Sequence, residues 1–419
     1  MQFIQSYTLS NLNEIANMRK IVLVTVLLFV TCMARPQQKR IVLQNVNVVD
    51  VEKGVILKKQ HVVITGDRIS RIANSSRYTS VAGDSVVDCK DQYLIPGLWD
   101  MHTHVWIPDY FFSLFIANGV TGIRGMFEGI FLANLWKKNG NTPGTLTPAG
   151  FYAGPIVDGP TPIWPGSVAV RDSAMGRRVV DSLKNKLHVD FIKVYSLLSK
   201  ESYYAIADEA KRQQIPFAGH VPNSINVVDA ARAGQKSMEH LYGFPELASD
   251  SSDYYYQLAR GEIKDSLFNT RIARRALLFR TFSQKKLSTI IEELRKNNTW
   301  VCPTMTVNRG IAYMKDSSFI NDPRMKYVLP MMKSMWNPAN DFRFRNVTED
   351  YFDNEKKEFQ LKKRIIKLLH QGGVKLLAGT DTPNPYCFPG FSIHDELQIF
   401  VDCGLTPLQA LYGDRKSVV

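Results

Sequence analysis

Several short apolar segments of this chain end on side chains that can hold a metal ion. The segments LIPGLWDMHTHVW, VDFIKVYS, IPFAGHV, QKSMEHL and VKLLAGTDT each carry such a group. Imidazole nitrogens and carboxylate oxygens are ligands of zinc and related divalent metals, and a bound metal can activate water for hydrolysis. The residues concerned are His102, His104, Lys193, His220, His240 and Asp381.

His102 and His104 are separated by one residue at the end of the first segment. Successive side chains of a strand point to opposite faces, so the two imidazoles share a face and Thr103 points away. One strand end could therefore supply two ligands to one metal. The pair alone is weak support for a metal site, because a turn can also hold two hydrogen-bonded histidines.

The chain alternates between strand-like and helix-like segments after Pro96. Strand candidates such as GVTGIRGM and WVCPTMTV are interleaved with amphipathic stretches such as KESYYAIADEAKRQQ and LSTIIEELRKNN. Repeated β–α–β alternation predicts a parallel sheet, and eight units close a (β/α)8 TIM-type barrel. The carboxyl ends of barrel strands converge on one mouth, which would bring the candidate ligands together.

Residues 35–95 predict a different unit, built of strands. IVLQNVNVVD alternates, and QHVVITGDRISRIA has the pattern of a strand, a Gly-Asp turn and a second strand. We therefore predict an α/β chain with a small β domain over residues 35–95, a partial β-sandwich, and a barrel over residues 96–413.

The motifs PGLWDMHTH, IKVY, GHV, MEHL and AGTDT, in this order, resemble those of the metal-dependent amidohydrolase superfamily. Within it, the chain resembles the branch of imidazolonepropionase-related and Xaa-Pro dipeptidase-like enzymes, over most of its length from Arg40 onward. The resemblance implies a hydrolase of C–N bonds that acts on an amide or dipeptide. It also implies two divalent metal ions, for which zinc is favoured by the ligand types.

The resemblance implies a role for each candidate ligand. His102, His104 and Asp381 would hold the first metal, and His220 and His240 the second. Lys193 would be carboxylated on its amine and bridge the two metals as a carbamate. An unmodified ammonium has no lone pair and would repel two cations.

Two residues are catalytic candidates by the same resemblance. Asp381 would take a proton from the attacking hydroxide and pass it to the leaving amine. Tyr195 follows Lys193 by two residues, and a tyrosine near this strand in related dipeptidases is thought to polarise the substrate carbonyl.

Other interpretations of these residues remain open from sequence. Asp381 could cap the following helix, and His220 and His240 could be core histidines that bond to backbone. A structural salt bridge is favoured for Arg124 over binding of a substrate carboxylate. The histidines outside the motifs, predicted to be structural or exposed, are His61, His188, His370 and His394.

Three stretches are predicted to form the loops that select the substrate. They are residues 106–112, residues 154–167 and an insertion over residues 308–353, which is predicted to follow the seventh strand. Their aromatic residues and prolines favour a partly apolar pocket.

The N-terminal sequence predicts an export signal over residues 1–34. A short basic MRK segment precedes an apolar stretch that is short for a membrane span, and small residues follow, with cleavage expected after Ala34. Residues 1–17 would then be an extension ahead of the true start. We expect a periplasmic or secreted protein, with lipidation at Cys32 or an N-terminal membrane anchor as the weaker alternatives.

Composition restricts the partners. The net charge is +13, but Lys and Arg are mostly interleaved with Asp and Glu, which indicates solvated helix faces and no nucleic-acid partner. The expected partner is a small-molecule substrate, and a homo-oligomer stays open. Cys89, Cys302, Cys387 and Cys403 permit a disulfide in an exported protein, but the sequence does not give its pairing.

The C-terminal sequence departs from the family pattern. Family members continue past a segment like TPLQAL with strands that complete the small β domain, so we expect this domain to lack its usual C-terminal strands and the barrel to be truncated. The last residues, 414–419, can be back-translated into a common sequencing adapter and are interpreted as read-through.

Three alternatives to an amide or dipeptide hydrolase follow. A cyclic amide or urea hydrolase would use the same metal site with different loops. A mononuclear deaminase would not need Lys193. From another class, the chain could be a non-catalytic binding protein or an inactive truncated fragment.

Overall fold

The structure, a computed structural model, describes residues 39–140, 145–265, 271–345 and 347–413. The predicted export signal over residues 1–34, the extension over residues 1–17 and the read-through segment 414–419 lie outside the described residues. The chain divides into two compact units, with the boundary between Ile95 and Pro96.

The first unit is a five-stranded sheet in the order β3-β2-β1-β4, with β5 also paired to β1. The predicted strand–turn–strand is present, because β2 and β3 pair antiparallel with Thr65 opposite Arg68. Val46, Val62 and Cys89 form a small core on this sheet. All described strands of this unit belong to one sheet, so the sandwich stays a prediction. The strands are β1 (Arg40–Asp50), β2 (Val55–Thr65), β3 (Arg68–Asn74), β4 (Ser85–Asp88) and β5 (Tyr93–Leu94).

The second unit is a mixed α/β fold, as the alternation of segments predicted. One parallel sheet has the order β6-β7-β8 and another the order β10-β9-β11-β12-β13-β14. The strands are β6 (Leu98–Thr103), β7 (Val120–Gly125), β8 (Ala149–Tyr152), β9 (Val157–Asp158), β10 (Val168–Ala169), β11 (Ile192–Val194), β12 (Phe217–Gly219), β13 (Ser237–Glu239) and β14 (Trp300–Cys302).

Helices of this unit follow most of the strands. They are α1 (Pro108–Ala117), α2 (Ile130–Gly140), α3 (Ser173–Asp181), α4 (Lys200–Arg212), α5 (Val227–Arg232), α6 (Phe244–Leu247), α7 (Ser252–Ala259), α8 (Arg271–Thr281), α9 (Gln284–Lys296), α10 (Met305–Ala312), α11 (Ser317–Ile320), α12 (Pro330–Trp336), α13 (Glu349–Gln371), α14 (Ser392–Asp402) and α15 (Pro407–Tyr412).

The segment of residues 375–382 lies between β14 and β6. Val301 donates its N–H to the Lys375 carbonyl at 3.0 Å, and Met101 donates to the Ala378 carbonyl at 2.9 Å. The predicted strand VKLLAGTDT is nevertheless irregular, with isolated bridges at Leu376 and Thr382. These hydrogen bonds join the edges of the two parallel sheets next to the candidate site.

The predicted strand WVCPTMTV is shorter than expected, because β14 ends at Cys302 and α10 begins at Met305. Pro303 has no N–H to continue a ladder, and Thr304 adopts a left-handed φ of 46°. The Glu396 carboxylate then accepts hydrogen bonds from the N–H groups of Met305 and Thr306, at 2.8 and 2.7 Å. Long-range capping by Glu396, which a local pattern does not reveal, begins the helix here.

Helix α9 packs on the main core through one apolar face. Ser283 caps its N-terminus by accepting the Lys286 N–H. The helix buries a stripe with helical spacing in the main core, formed by Leu287, Ile290, Ile291 and Leu294.

Two global features concern membranes and disulfides. Across the described residues, we find no helix that combines the length and apolar character of a membrane span. Cys89, Cys302, Cys387 and Cys403 are all buried free thiols.

A matched pair of leucines tests the core. Leu294→Ala removes a fully buried side chain and should lower the free energy of unfolding by about 2–5 kcal/mol. The control Leu146→Ala, at a residue that is 71% exposed, should change it by less than about 0.5 kcal/mol. Denaturant unfolding followed by circular dichroism measures both, and equal effects would contradict the core position of α9.

Candidate metal centre

Three of the candidate ligands converge at the carboxyl end of β6. The Asp381 Oδ1 atom lies 3.0 Å from His104 Nε2 and 3.4 Å from His102 Nε2. Their ligand atoms are close enough together that this group could hold one metal ion. The predicted HxH arrangement is therefore joined by a carboxylate from a segment almost 280 residues later in the chain.

The other three candidates border this group. His240 Nδ1 lies 3.8 Å from Asp381 Oδ2, and the Lys193 Nζ atom lies 3.5 Å from His102 Nε2. The ring centroids of His220 and His240 are 4.8 Å apart. All six sequence-predicted ligands thus lie in one cluster, brought together by the ends of β6, β11, β12 and β13 and by residues 375–382.

Each of three imidazoles has its Nδ1 atom engaged by a neighbouring polar group. Glu239 Oε2 lies 2.8 Å from the Nδ1 of His102. The Ser196 hydroxyl lies 2.7 Å from His220 Nδ1, and the Thr304 hydroxyl lies 2.6 Å from His240 Nδ1. These contacts fix the ring orientations and leave the Nε2 atoms for another partner, as is usual for metal-ligating histidines.

Arg124 forms a buried ion pair with Glu239 beside the site, as the favoured structural interpretation predicted. Its guanidinium is buried, donates to both oxygens of Glu239 at 3.0 and 3.1 Å, and donates to the Met101 carbonyl at 2.7 Å. Ser237 donates to the same carboxylate. Burial by itself would raise the pKa of Glu239, but Arg124 and His102 hold that pKa well below its usual range.

Burial keeps three of the imidazoles neutral. Burial is the largest cause that lowers the pKa of His102, His220 and His240 well below the ordinary value. Neutral imidazole is the form that donates a lone pair to a metal.

Lys193 and Asp381 respond to the same environment in different ways. Burial lowers the pKa of Lys193 to about 8, which increases the fraction of neutral amine. Burial opposes ionisation of Asp381, but His240 and His104 lower its pKa overall, so it stays a carboxylate.

The backbone takes up left-handed conformations where strands end in the site. Positive φ angles occur at His240 (63°), Leu241 (60°) and Asp381 (61°), none of which is a glycine. Such conformations are uncommon for these residue types and persist where the surrounding structure enforces them. Here they turn two candidate ligands out of the strand direction toward the cluster.

Two tyrosines flank the histidines. The Tyr195 ring stacks on His220 with centroids 3.9 Å apart, and its hydroxyl oxygen accepts the indole N–H of Trp164 at 2.8 Å. Tyr242 packs against His220 and His240 at 4.9 and 5.1 Å, and is 46% exposed. Burial nevertheless raises the pKa of the Tyr242 hydroxyl.

The structure also identifies residues that sequence reasoning missed. Glu239 and Tyr242 stand on either side of His240 in MEHLY, so the motif itself carried the signal. Ser196 and Thr304 had no sequence signal, because their role depends on contacts between strands. The histidines predicted to lie outside the site are indeed outside this cluster: His61 is buried, His370 is half-buried, and His188 and His394 are exposed.

Removal of Arg124 tests the support of the site. Arg124→Met leaves the fully buried Glu239 carboxylate without its cation and should cost about 3–5 kcal/mol of unfolding free energy. The control Arg178→Met, at an exposed arginine of α3, should cost less than about 0.5 kcal/mol. Thermal and denaturant unfolding measure both; a stable Arg124→Met protein would show that Glu239 does not depend on this cation.

The architecture of this chain is similar to that of several solved structures. No family model and no curated protein sequence matches the chain. Among solved structures, bottromycin amidohydrolase matches 91% of this chain and 77% of its own at 22% identity and a TM-score of 0.64. A Xaa-Pro dipeptidase with bound methionine matches 90% of this chain and 87% of its own, at 16% identity and a TM-score of 0.61. A. niger ochratoxinase matches 90% of this chain and 83% of its own, at 16% identity and a TM-score of 0.57. The chain therefore shares the fold of these solved structures, which agrees with the resemblance seen in its motifs.

Proposed function

We propose that this protein is a metal-dependent hydrolase that cleaves C–N bonds of amides or dipeptides. The observation that carries the proposal is the convergence of His102, His104 and Asp381, with Lys193 and His240 beside them. The names of the similar structures, an amidohydrolase and a Xaa-Pro dipeptidase, support the same reaction class. An amide or a dipeptide with a prolyl residue is therefore the first substrate class to examine.

The donor set fits two divalent ions, with zinc favoured. His102, His104 and Asp381 would hold one ion, and His220 and His240 the other. One nitrogen of this donor set, the buried Nδ1 of His104, has no hydrogen-bond partner within the described residues. Neutral imidazoles with their second nitrogen engaged are the arrangement that zinc sites use.

We propose that Lys193 is carboxylated and holds both ions. The buried neutral amine would attack carbon dioxide, forming an N–C bond and releasing one proton, which leaves an anionic carbamate. This change replaces a cation by an oxygen ligand beside the other candidate ligands, which are imidazoles and the Asp381 carboxylate.

When bound, the two ions would supply Lewis acidity toward the carbonyl and an activated water. The residues of the chain would do the rest. The Asp381 carboxylate accepts the proton of the attacking water and returns it to the leaving nitrogen, which is otherwise too basic to depart. The Tyr195 hydroxyl keeps its own proton while it accepts the Trp164 N–H, so it can donate to the carbonyl oxygen.

The architecture that supports this function is proposed to be a closed (β/α)8 barrel. Residues 375–382 join β14 to β6, and the Asp190 N–H bonds to the Tyr152 carbonyl at the end of β8 at 3.0 Å. These contacts connect the two parallel sheets at β6 and at β8. Export through residues 1–34 is proposed from the sequence pattern.

A hydrolysis screen tests the proposed function. The zinc-loaded protein is assayed against N-acyl amino acids and Xaa-Pro dipeptides, with release of the free amine measured. Turnover that disappears on chelation and returns with zinc is expected. If no amide in the panel is cleaved by the folded, metal-loaded protein, the proposal is wrong.

Lys193→Ala tests the two-ion site. Loss of the proposed bridging carbamate should lower the metal content measured by mass spectrometry and should reduce kcat by at least about 100-fold. Lys186→Ala, at an exposed lysine nearby, is the matched control and should keep both. Full activity of Lys193→Ala with one ion per site would contradict the two-ion model.

Tyr195→Phe tests the catalytic hydroxyl. If Tyr195 donates to the carbonyl oxygen in the transition state, kcat should fall about 10-fold or more while metal content stays unchanged. Steady-state kinetics combined with metal analysis separates this effect from damage to the site. Unchanged kcat would remove Tyr195 from the mechanism.

A further inference from the structure

A half-buried arginine, Arg343, lies near the candidate site, in the insertion between α12 and α13. The Nε and NH2 atoms of Arg343 donate to the two carboxylate oxygens of Asp341, at 3.0 and 2.7 Å. Its NH1 atom donates to the Asn384 side-chain oxygen at 3.0 Å. The guanidinium plane is thus fixed from two sides.

Asn384 ties this arginine to the segment that carries a candidate ligand. Its side-chain amide and its backbone N–H both donate to the Asp381 carbonyl, at 2.9 and 3.1 Å. Burial by itself would lower the pKa of Arg343, but Asp341, Asp381 and Tyr242 raise it. The pKa of Arg343 therefore responds to groups that line the site, although Arg343 belongs to a different segment of the chain.

Aromatic side chains form the surface between Arg343 and the histidines. The guanidinium carbon of Arg343 lies 5.8 Å from the Trp164 ring, and Phe342 packs edge-on against the same ring at 5.6 Å. Trp164 in turn donates to Tyr195, which stacks on His220. Phe342 is 57% exposed, so the surface beside the cation is apolar and open.

A guanidinium has five N–H groups, and the contacts with Asp341 and Asn384 use three of them. Among the described residues, one N–H on each terminal nitrogen has no hydrogen-bond partner. Two such donors in a fixed plane match the two oxygens of a carboxylate, which binds arginine in a bidentate manner. Because Asp341 already balances the charge, recognition here depends on hydrogen-bond geometry as well as on attraction.

We propose that Arg343 is a specificity-determining residue that binds a free carboxylate of the substrate. The proposal rests on the proposed function and narrows its substrate class to amides that carry a carboxylate, such as N-acyl amino acids and dipeptides. The aromatic surface of Trp164 and Phe342 would accommodate an apolar side chain next to that carboxylate.

The kinetic test compares an acid with its amide. N-acetyl-L-methionine and N-acetyl-L-methioninamide differ in the carboxylate and share the scissile bond and side chain. Arg343→Met should lower kcat/KM for the acid by at least about 10-fold and leave kcat/KM for the amide within about twofold. The reason is that the uncharged amide group does not form the paired, charge-assisted hydrogen bonds that a carboxylate forms with a guanidinium. Arg343→Lys should give an intermediate loss, since an ammonium lacks the planar pair of donors.

Arg345 provides the matched control, because it lies on the same loop two residues away and is exposed. Arg345→Met should behave as the wild-type protein toward both compounds. Equal losses for acid and amide in Arg343→Met, or no loss for either, would overturn the proposal.

A binding experiment separates this proposal from the proposed function. Calorimetric titration of the full, metal-free chain with the same two compounds does not require turnover. The wild-type protein should bind the acid more tightly than the amide, and Arg343→Met should remove this difference, with an unchanged thermal unfolding curve as evidence of folding. Equal affinities of the wild-type protein for acid and amide would overturn the proposal even if amides are hydrolysed. A preference that depends on Arg343 would support it even if the chosen amides are not cleaved.

Discussion

The buried carboxylate of Glu239 is the group on which the candidate site depends. It stands at the end of β13 and receives Arg124 from β7 and Ser237 from its own strand, while it holds the Nδ1 atom of His102 from β6. A fully buried carboxylate would be strongly unfavourable without these partners. One ion pair thus connects three strands and sets the tautomer and direction of a central imidazole.

Two of the other histidines, His220 and His240, follow the same arrangement with neutral partners. The hydroxyls of Ser196 and Thr304 take the roles for His220 and His240 that Glu239 takes for His102. The left-handed backbone at His240 and Asp381 then turns these side chains toward each other. Polar groups that point inward are costly unless they are paired, so this collection of neutral imidazoles beside a carboxylate and an amine is typical of a functional site rather than a core.

The insertion between α12 and α13 adds an outer layer to the site. The pair formed by Arg343 and Asp341 contacts Asn384, which contacts the segment of Asp381. Through Trp164 and Tyr195 the same layer reaches His220. The proposed carboxylate-binding residue and the candidate metal ligands are therefore linked through direct contacts.

The sequence by itself determined the α/β alternation, the superfamily resemblance and the identity of the side chains that cluster. Each of these depends on local patterns: apolar segments with strand or helix periodicity, and polar residues directly at their ends. The tertiary structure alone decided that β14 stops before Met305, that Glu239 supports His102, and that Arg343 lies beside Asn384. These features arise from contacts between residues far apart in the chain, such as that of Glu396 with Met305, which no local window of sequence contains.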